Sequence, residues 1–359
     1  MSIFIALLIL SFLVFFHELG HFMVARICGV KVEVFSIGFG KKLVSWRFGQ
    51  TQYALSAIPL GGYVKLKGQD DSNPKLKNYE ADSYLSKSPW QRIAILLAGP
   101  LFNIFLAFLL YVAVGLLGKA SLLPVVGEVK ENYPAAQAGI RAGDVIVAIN
   151  GKGIKTWEEL DSAVVESQGE LTLTLQRGQG ALKENVSVRV LPIEQEAQNI
   201  FRENIIRKII GVTSAGVVGE VHYKGLDSII FGIDESIKAS TLIAQSIVKL
   251  LSGAVPSSEV GGVVSIVSVI GSASQEGLMK GEITQLLWLV ALISVNLGIL
   301  NLLPIPALDG GHILFNLYEV VMKKAPSENV MYYLTLCGWA VLLGLMLLGL
   351  YNDIFRLLA

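Results

Sequence analysis

The chain has 359 residues, of which 53% are hydrophobic and 16% are charged, and its 29 basic side chains balance its 29 acidic ones. With a mean hydropathy of +0.58, this composition is too apolar for an ordinary soluble protein of that length and predicts a membrane protein. A net charge of zero excludes a global field that attracts nucleic acid, so we expect a lipid bilayer as the partner and no nucleic acid.

Runs of about 20 apolar residues predict four transmembrane helices. The runs cover residues 3–28, 93–117, 283–308 and 330–351. The first run lacks a preceding basic segment and a small-residue cleavage site, so we expect it to be retained as a span and not removed as a signal peptide. Cys28 and Cys337 both lie in apolar runs, and we interpret them as packing residues.

The four spans divide the chain into seven segments. These are a first transmembrane helix at 1–30, a cytoplasmic β region with a loop at 31–92, a second helix at 93–118, an outer domain at 122–195, a strand and amphipathic helices at 196–282, a third helix at 283–312 and a fourth at 330–351. The predicted fold class is therefore a multi-pass α-helical membrane protein with a membrane-associated cytoplasmic β region and one outer α+β domain.

Basic residues in the short connections predict the orientation. Residues 31–92 contain ten Lys or Arg against five Asp or Glu, and Lys323 and Lys324 lie between the third and fourth spans. Both connections are therefore expected in the cytoplasm. Both termini and the long region 118–282 are then expected on the outer side of the membrane.

The first cytoplasmic connection alternates apolar and polar residues between glycines, a pattern typical of strands. We predict strands near 32–37, 43–48, 51–58 and 62–66, which form a small sheet against the membrane face. The polar stretch that follows, residues 68–83, has no periodicity and is predicted to be a mobile loop.

The region after the second span has the composition of a soluble module. Short β runs such as "ELTLTLQR" and "NVSVRVLP" flank an amphipathic segment at 156–167, and "IRKIIGVTS" is a candidate for a further strand. Residues 227–252 have helical periodicity with scattered charges, which indicates an interfacial or packed helix and not a fifth span.

The first span carries "HELGH", an H-E-x-x-H motif. Ionisable side chains cost about 2.5 kcal/mol or more each at the bilayer centre, so an accidental occurrence there is disfavoured. His17 and His21 lie one turn apart on the same helix face and can reach one metal ion, while Glu18 lies beside them, where it can act on a water molecule. The pattern is that of a zinc hydrolase, and a proton relay or transporter site is the alternative.

The third span offers the missing third ligand. Pro304 and Pro306 break the helix, and Asp309 follows them in "LDGG". Asp309 is the preferred ligand, although an aspartate that caps a helix end gives the same pattern. His17 lies about 21 Å along its span and Asp309 would lie nearly 40 Å along a straight helix, at about 1.5 Å per residue. The break must therefore shorten the path or fold it back.

Other polar residues in or near the spans have two readings. His312 is a rival ligand for the metal, whereas His222 lies in the outer region and looks unrelated. Asn296 and Asn301 either form hydrogen bonds between helices or face the site, and Asn103 in "AGPLFN" lies in a typical small-residue helix interface.

Five motifs together resemble the site-2 proteases, a family of intramembrane zinc metalloproteases, and within it the bacterial regulator of sigma-E protease group. They are "HELGH", "GFG", "AGPLFN", "AGIRAGDVIVAING" and "NLLPIPALDGG", and the resemblance covers nearly the whole chain. It implies that His17, His21 and Asp309 bind Zn2+. It also implies that Glu18 is the catalytic base.

The same resemblance suggests where the substrate binds. Asn301 and Pro304 would shape or contact the substrate near the metal, and Gly38, Phe39 and Gly40 would help to hold an unwound substrate segment. A transmembrane helix hides its peptide bonds in its own hydrogen-bond ladder, and an exposed edge strand can take over those bonds by strand addition. A hairpin that merely seals the cytoplasmic face is the alternative.

The stretch "YPAAQAGIRAGDVIVAINGKGIKTWEEL" resembles a bacterial PDZ domain, most clearly around Gly143, Asp144 and Asn150. The resemblance implies an outward-facing size filter that obstructs bulky ectodomains, so that substrates need prior trimming by another protease. The chain departs from family members with two PDZ domains, because it has room for one.

We therefore predict a four-span zinc endopeptidase of the bacterial cytoplasmic membrane, which hydrolyses peptide bonds in transmembrane segments of single-span proteins. Anti-sigma factors and signal-peptide remnants are the expected substrates. Two other classes stay open on the residues alone: a non-catalytic PDZ scaffold of the envelope, and a metal or proton transporter.

Overall fold

The computed structural model describes residues 2–69, 78–178, 183–201, 203–259, 261–280 and 283–358. The chain divides into two compact units. The membrane unit comprises Met1–Val114 and Gly225–Ala359, and the β-rich unit comprises Gly115–Lys224.

The membrane unit is built mainly from helices. Its elements are α1 (Ser2–Ile27), β1 (Val32–Phe48), β2 (Thr51–Leu66), a 3-10 turn (Tyr84–Ser86), α2 (Pro89–Leu117, whose last turn belongs to the β-rich unit), α5 (Leu226–Leu251), a second 3-10 turn (Ser257–Glu259), α6 (Val263–Lys280), α7 (Ile283–Asn301), α8 (Asp309–Met322) and α9 (Glu328–Leu358). Among the described residues, α1, α2, α7 and α9 are long and apolar enough to cross a membrane. These four helices agree with the four predicted spans.

The predicted third span does not run as one helix. Helix α7 ends at Asn301 and α8 begins at Asp309, because the two intervening prolines lack the N–H that a continuous helix requires. Glycines allow the chain to pack closely after the break: a Cβ on Gly310 would collide with the Leu302 carbonyl, and one on Gly311 with the Ile305 carbonyl. The break therefore places Asp309 at the start of a new helix.

The hairpin sheet, formed by β1 and β2, is antiparallel overall and contains register shifts that divide each strand into two arms. Residues 32–37 pair with 62–66 on one side and with 52–55 on the other, and residues 42–48 pair with 51–56. The four arms coincide with the four predicted strands. Arms 62–66 and 42–48 are therefore the outer ones.

Part of the predicted loop, residues 70–77, lies outside the described residues. The following stretch is held to the end of β2, because Lys67 Nζ pairs with Glu80 Oε2 at 2.6 Å and with Asp82 Oδ1 at 2.7 Å. Tyr84 also donates its backbone N–H to the Lys67 carbonyl. The prediction of a mobile loop at 68–83 does not fit these contacts at residues 80–83.

The β-rich unit consists of ten strands and two short helices among its described residues. They are β3 (Lys119–Leu122), β4 (Val126–Val129), α3 (Pro134–Gln137), β5 (Val145–Ile149), β6 (Lys152–Gly153), α4 (Trp157–Val165), β7 (Leu171–Arg177), β8 (Glu184–Val190), β9 (Ile193–Gln198), β10 (Asn204–Ile209), β11 (Val212–Ser214) and β12 (Val218–Val221). Strands β6, β5, β7 and β8 form one sheet in that order. Because β12 pairs with β3 and β11 with β4, the unit extends beyond the predicted domain at 122–195.

An ion pair fixes the turn before β5. Buried Asp144 accepts hydrogen bonds from Arg177 Nε at 2.8 Å, from Arg177 Nη2 at 2.7 Å and from the Arg141 amide at 2.8 Å. Burial alone would raise the pKa of Asp144, but these hydrogen bonds outweigh burial and lower it. The carboxylate therefore stabilises the folded unit in its charged form.

Replacing this carboxylate should destabilise the β-rich unit. We expect Asp144→Asn to cost roughly 2–3 kcal/mol at pH 7, because Arg177 loses a charged, two-point partner. Since the folded-state pKa of Asp144 is lowered, this stabilisation is present above about pH 4 and is lost as the pH falls through the folded-state pKa. Hydrogen exchange of β5 and β7 in the full chain, corrected for intrinsic rates, measures the effect.

Glu170→Gln is the matched control. It makes the same chemical change in a carboxylate that lies 3.9 Å from Arg189 at an exposed position, where ion pairs contribute little. Equal exchange in the two variants would contradict the prediction.

Candidate metal centre

Two imidazoles and one carboxylate meet in the membrane unit. His17 Nε2 and His21 Nε2 lie 3.2 Å apart on successive turns of α1. Asp309 Oδ2, from the first turn of α8, lies 3.1 Å from His17 Nε2 and 3.4 Å from His21 Nε2. The described residues thus bring together three side chains that the sequence singled out, across nearly the whole length of the chain.

The arrangement fits a tetrahedral zinc ion. Zinc bonds of about 2.0–2.1 Å would place neighbouring ligand atoms roughly 3.3 Å apart. The three distances observed lie between 3.1 and 3.4 Å. Asp309 Oδ2 is also buried without a hydrogen-bond donor among the described residues, which is costly unless a cation faces it.

Hydrogen bonds on the far side of the imidazoles select the coordinating nitrogens. His21 Nδ1 lies 2.8 Å from the Ile95 carbonyl, which can accept and not donate, so Nδ1 carries the proton and Nε2 presents a lone pair. His17 Nδ1 lies 3.2 Å from the Asn103 side-chain amide. Both partners belong to α2, so this helix sets the orientation of both rings.

The Asn103 amide is best assigned with its oxygen toward His17. The orientation with Nδ2 toward the ring leaves Asn103 Oδ1 unpaired among the described residues, but the assignment follows from His17, since only an oxygen facing the ring lets Nδ1 carry the proton. Exchanging the two amide atoms lets Oδ1 accept a hydrogen bond from His17 Nδ1 and leaves the lone pair of His17 Nε2 free to bind a metal. Ser294 Oγ also donates to the Asn103 carbonyl at 2.7 Å, which joins α7 to this part of α2.

Close helix packing makes room for the three side chains. A Cβ on Gly20 would collide with the Ala98 carbonyl, so α1 and α2 approach at the level of the motif. A Cβ on Gly99 would collide with His21 Nε2 and lie 2.9 Å from His17 Cε1. The missing side chain at Gly99 therefore leaves open the space in which the ligand atoms converge.

An ion pair attaches α8 to the same helix. Arg92 Nη2, near the start of α2, donates to Glu319 Oε1 at 2.7 Å, and both side chains are largely buried. Glu319 lies on α8, which begins with Asp309. One helix, α2, thus contacts both histidines and also anchors the helix that carries the aspartate.

Glu18 faces the hairpin sheet and does not join the three ligand atoms. Its carboxylate is hydrogen-bonded by the backbone of Val64, and a Cβ built on Gly62 would lie 3.5 Å from Glu18 Cγ. The outer arm 62–66 therefore runs directly beside the glutamate. The Glu18 side chain thus lies close both to the three converging side chains and to a strand edge.

The "GFG" residues also lie close to arm 62–66. Gly38 and Gly40 have φ values of +85° and +83°, which favour glycine, and they lie where β1 bends between its two arms. Phe39 stacks on Tyr63 with 6.2 Å between ring centroids, and its ring lies where a side chain of Gly61 would be. The structure thus brings Phe39 to arm 62–66 next to Glu18.

Four other candidates are not among the three converging ligand atoms. Asn301 donates its side-chain amide to the Leu297 carbonyl of its own helix at 3.0 Å, and Pro304 is exposed in the break. The His312 ring packs edge-on against Phe315 and is not in the group of converging ligands among the described residues. His222 lies in the β-rich unit beside Gly118.

Sequence reasoning missed the residues that orient the ligands. The small-residue pattern of "AGPLFN" indicates a helix interface at Asn103, and the sequence gives no sign of the contacts made by the Ile95 carbonyl or by the Arg92–Glu319 pair. A usable signal was present, because Gly99 and Asn103 are four residues apart in "AGPLFN" and lie on one face of their helix. A polar side chain one turn from a glycine within a span indicates a close and functional contact.

Comparison with known proteins agrees with this geometry. The model of peptidase family M50 matches residues 5–345. A Campylobacter jejuni protein provisionally named a zinc metalloprotease is 46% identical over 351 residues, which cover 98% of this chain and 92% of the relative. The metalloprotease MmpA of Caulobacter vibrioides is 31% identical over 379 residues, which cover 98% of this chain and 94% of the relative.

These matches extend over almost the whole chain, including both ends of the ligand set. Together with a histidine–histidine–aspartate group between apolar helices, they define a membrane protein of the zinc metalloendopeptidase class. The chain belongs to peptidase family M50, the site-2 protease family, as its motifs predicted. Its cofactor is zinc.

The open space at Gly99 yields a direct test. We expect Gly99→Ala to lower zinc content and proteolysis at least tenfold, because the new methyl group collides with His21 Nε2. The measurement is zinc per chain by mass spectrometry of the purified protein.

Gly344→Ala is the control, since a Cβ on Gly344 meets no atom within 4 Å among the described residues. Full zinc content in the Gly99 variant would show that the ligand atoms converge elsewhere.

Proposed function

We propose that the chain hydrolyses peptide bonds within transmembrane segments of single-span membrane proteins, with His17, His21 and Asp309 as zinc ligands. The convergence of these ligand atoms in a unit made of membrane-spanning helices carries the proposal. A site at this position reaches peptide bonds that lie in the apolar part of a bilayer. Anti-sigma factors and signal-peptide remnants are the proposed substrate classes.

Glu18 is the proposed general base. Zinc, when bound, supplies a Lewis acid that polarises the scissile carbonyl and makes water acidic near neutral pH. The Glu18 carboxylate takes a proton from the attacking water and passes it to the leaving nitrogen as the peptide bond breaks. The Val64 backbone contact holds this carboxylate toward arm 62–66, where a bound substrate would lie.

Arm 62–66 is the proposed binding edge for an unwound substrate. It pairs with 32–37 on one side, and among the described residues no strand pairs with its other side. An extended segment added there replaces the helical hydrogen bonds that the substrate gives up on unwinding. Phe39, stacked on Tyr63, supports this arm from the paired strand, and Asn301 and Pro304 are proposed to border the substrate near the metal.

We further propose that the β-rich unit is a PDZ domain on the outer side of the bacterial cytoplasmic membrane. The excess of basic residues in 31–92 supports an orientation with the hairpin sheet in the cytoplasm and both termini outside. The Gly143–Asp144 turn and the sheet that follows it support the PDZ resemblance. In this placement the domain obstructs bulky ectodomains, so substrates are trimmed by another protease before cleavage.

Substitution Glu18→Gln tests the catalytic assignment. We expect cleavage of a model single-span substrate to fall at least a hundredfold, because a neutral amide cannot accept the proton. Zinc content should stay unchanged, since Glu18 is not among the three ligand atoms. The experiment measures fragments and zinc with the full chain reconstituted in vesicles.

The exposed Glu128→Gln is the matched control and should cleave like the wild type. Persistent cleavage by Glu18→Gln would remove Glu18 as the base. A transporter would lose flux without ever forming fragments, and a scaffold would be unaffected by the change.

The filter hypothesis is tested by changing the substrate alone. We expect a model substrate with a short outer tail to be cleaved at least tenfold faster than the same span fused to a folded outer domain, because the folded domain cannot pass the obstructing unit. Initial rates of fragment formation measure the difference. Equal rates for the two substrates would contradict a size filter and leave the catalytic assignment unaffected.

A further inference from the structure

A cleft of about 380 Å³ opens where α1 ends. It is lined by α1 and by the turn between β1 and β2, through Phe22, Met23, Arg26, Ile27, Phe48 and Tyr53. Helix α1 is a candidate membrane span from Ile3 to Ile27, so the cleft lies at the end of a span. An apolar cleft at that depth faces the boundary between acyl chains and lipid headgroups.

Arg26 places a positive charge in this apolar cleft. It is the basic residue in the last turn of α1, its side chain is exposed, and no carboxylate among the described residues forms an ion pair with it. A guanidinium with several N–H donors binds a phosphate group at two points. The surrounding rings and aliphatic chains supply the apolar surface that an acyl chain requires.

The neighbouring sheet has the same combination of charge and apolar surface. Strands β1 and β2 contain one acidic residue, Glu33, which lies 3.6 Å from Lys65, and they also carry Lys41, Lys42 and Arg47. The outer arm 42–48 exposes Trp46 to 57% and Phe48 to 77%. Cations interspersed with exposed aromatic and aliphatic side chains are typical of surfaces that bind anionic membranes.

We propose that this cleft is a binding site for one anionic phospholipid. Its phosphate binds the Arg26 guanidinium, and one acyl chain lies against Phe22, Met23 and Phe48. Because Phe22 and Met23 directly follow His21 in α1, and Tyr53 belongs to the sheet whose outer arm contacts Glu18, the lipid bridges the two elements that flank the proposed catalytic residues. The site binds a structural lipid and takes no part in the chemical step.

Native mass spectrometry of the full chain tests whether the Arg26 charge binds the lipid phosphate. The protein is reconstituted in phosphatidylcholine nanodiscs with increasing phosphatidylglycerol, and bound lipid is counted after release. We expect Arg26→Gln to lower the affinity for the first phosphatidylglycerol about tenfold, as for loss of one charge-assisted phosphate contact. Arg26→Lys keeps the charge but loses the two-point contact, so its affinity should lie between those of the wild type and Arg26→Gln. Arg189→Gln, an equal loss of charge at an exposed site of the β-rich unit, should leave it unchanged.

A second pair of variants tests whether an acyl chain of the lipid lies in the cleft. Met23→Trp fills the cleft without removing charge and should lower phosphatidylglycerol binding to a similar extent. Leu8→Trp makes a comparable change on an exposed part of the same helix and should not. Equal binding by Arg26→Gln and Arg189→Gln, or by Met23→Trp and Leu8→Trp, would overturn the proposal. The readout is bound lipid, so this result does not depend on whether the protein cleaves peptide bonds.

Discussion

Three lone pairs that point at one another inside an apolar helical unit form the constraint on which the rest of the membrane unit depends. Two imidazole nitrogens and a carboxylate oxygen at 3.1–3.4 Å require a metal ion or a shared proton between them, because three lone pairs at these distances repel one another. Each of these side chains is also costly to insert into a bilayer. A zinc ion bound by these three side chains would offset both costs, because it would pair with all three at once.

The helix α2 holds this arrangement in place although it contributes no ligand atom. Its Ile95 carbonyl accepts a hydrogen bond from His21, and its Asn103 side chain faces His17. It also leaves space at Gly99 and pairs with α8 through Arg92. Small residues allow the helix axes to come close enough for these contacts. A metal site that demands distances within a few tenths of an ångström thus depends on glycines that make no chemical contact with the metal.

The sequence predicts the local part of this site well and the long-range part poorly. The spacing of His17 and His21 is a property of one helix, so periodicity alone places both on one face. Asp309 is distant in sequence, and a straight helix would have carried it too far. Its position follows from how the prolines and glycines fold the chain back, which the sequence indicates without giving the geometry.

The groups that form hydrogen bonds with the two histidines are indicated neither by helix periodicity nor by the proline break. Asn103 and Ile95 act through contacts between different helices, and one of these partners is a backbone carbonyl that has no signature in the sequence. The hairpin sheet, by contrast, is predicted in large part by local sequence features. Its four arms follow from alternation and glycine positions, which are local, and the structure adds their order and the contact of the outer arm with Glu18.

The hairpin sheet joins two surfaces with different chemistry. One outer arm, 62–66, contacts Glu18, while the turn beside the other arm, 42–48, lines the cleft at the end of α1. The two outer arms are joined to each other by ladder hydrogen bonds through 32–37 and 51–56. One continuous sheet therefore carries the proposed substrate edge on one outer arm and part of the proposed lipid cleft beside the other.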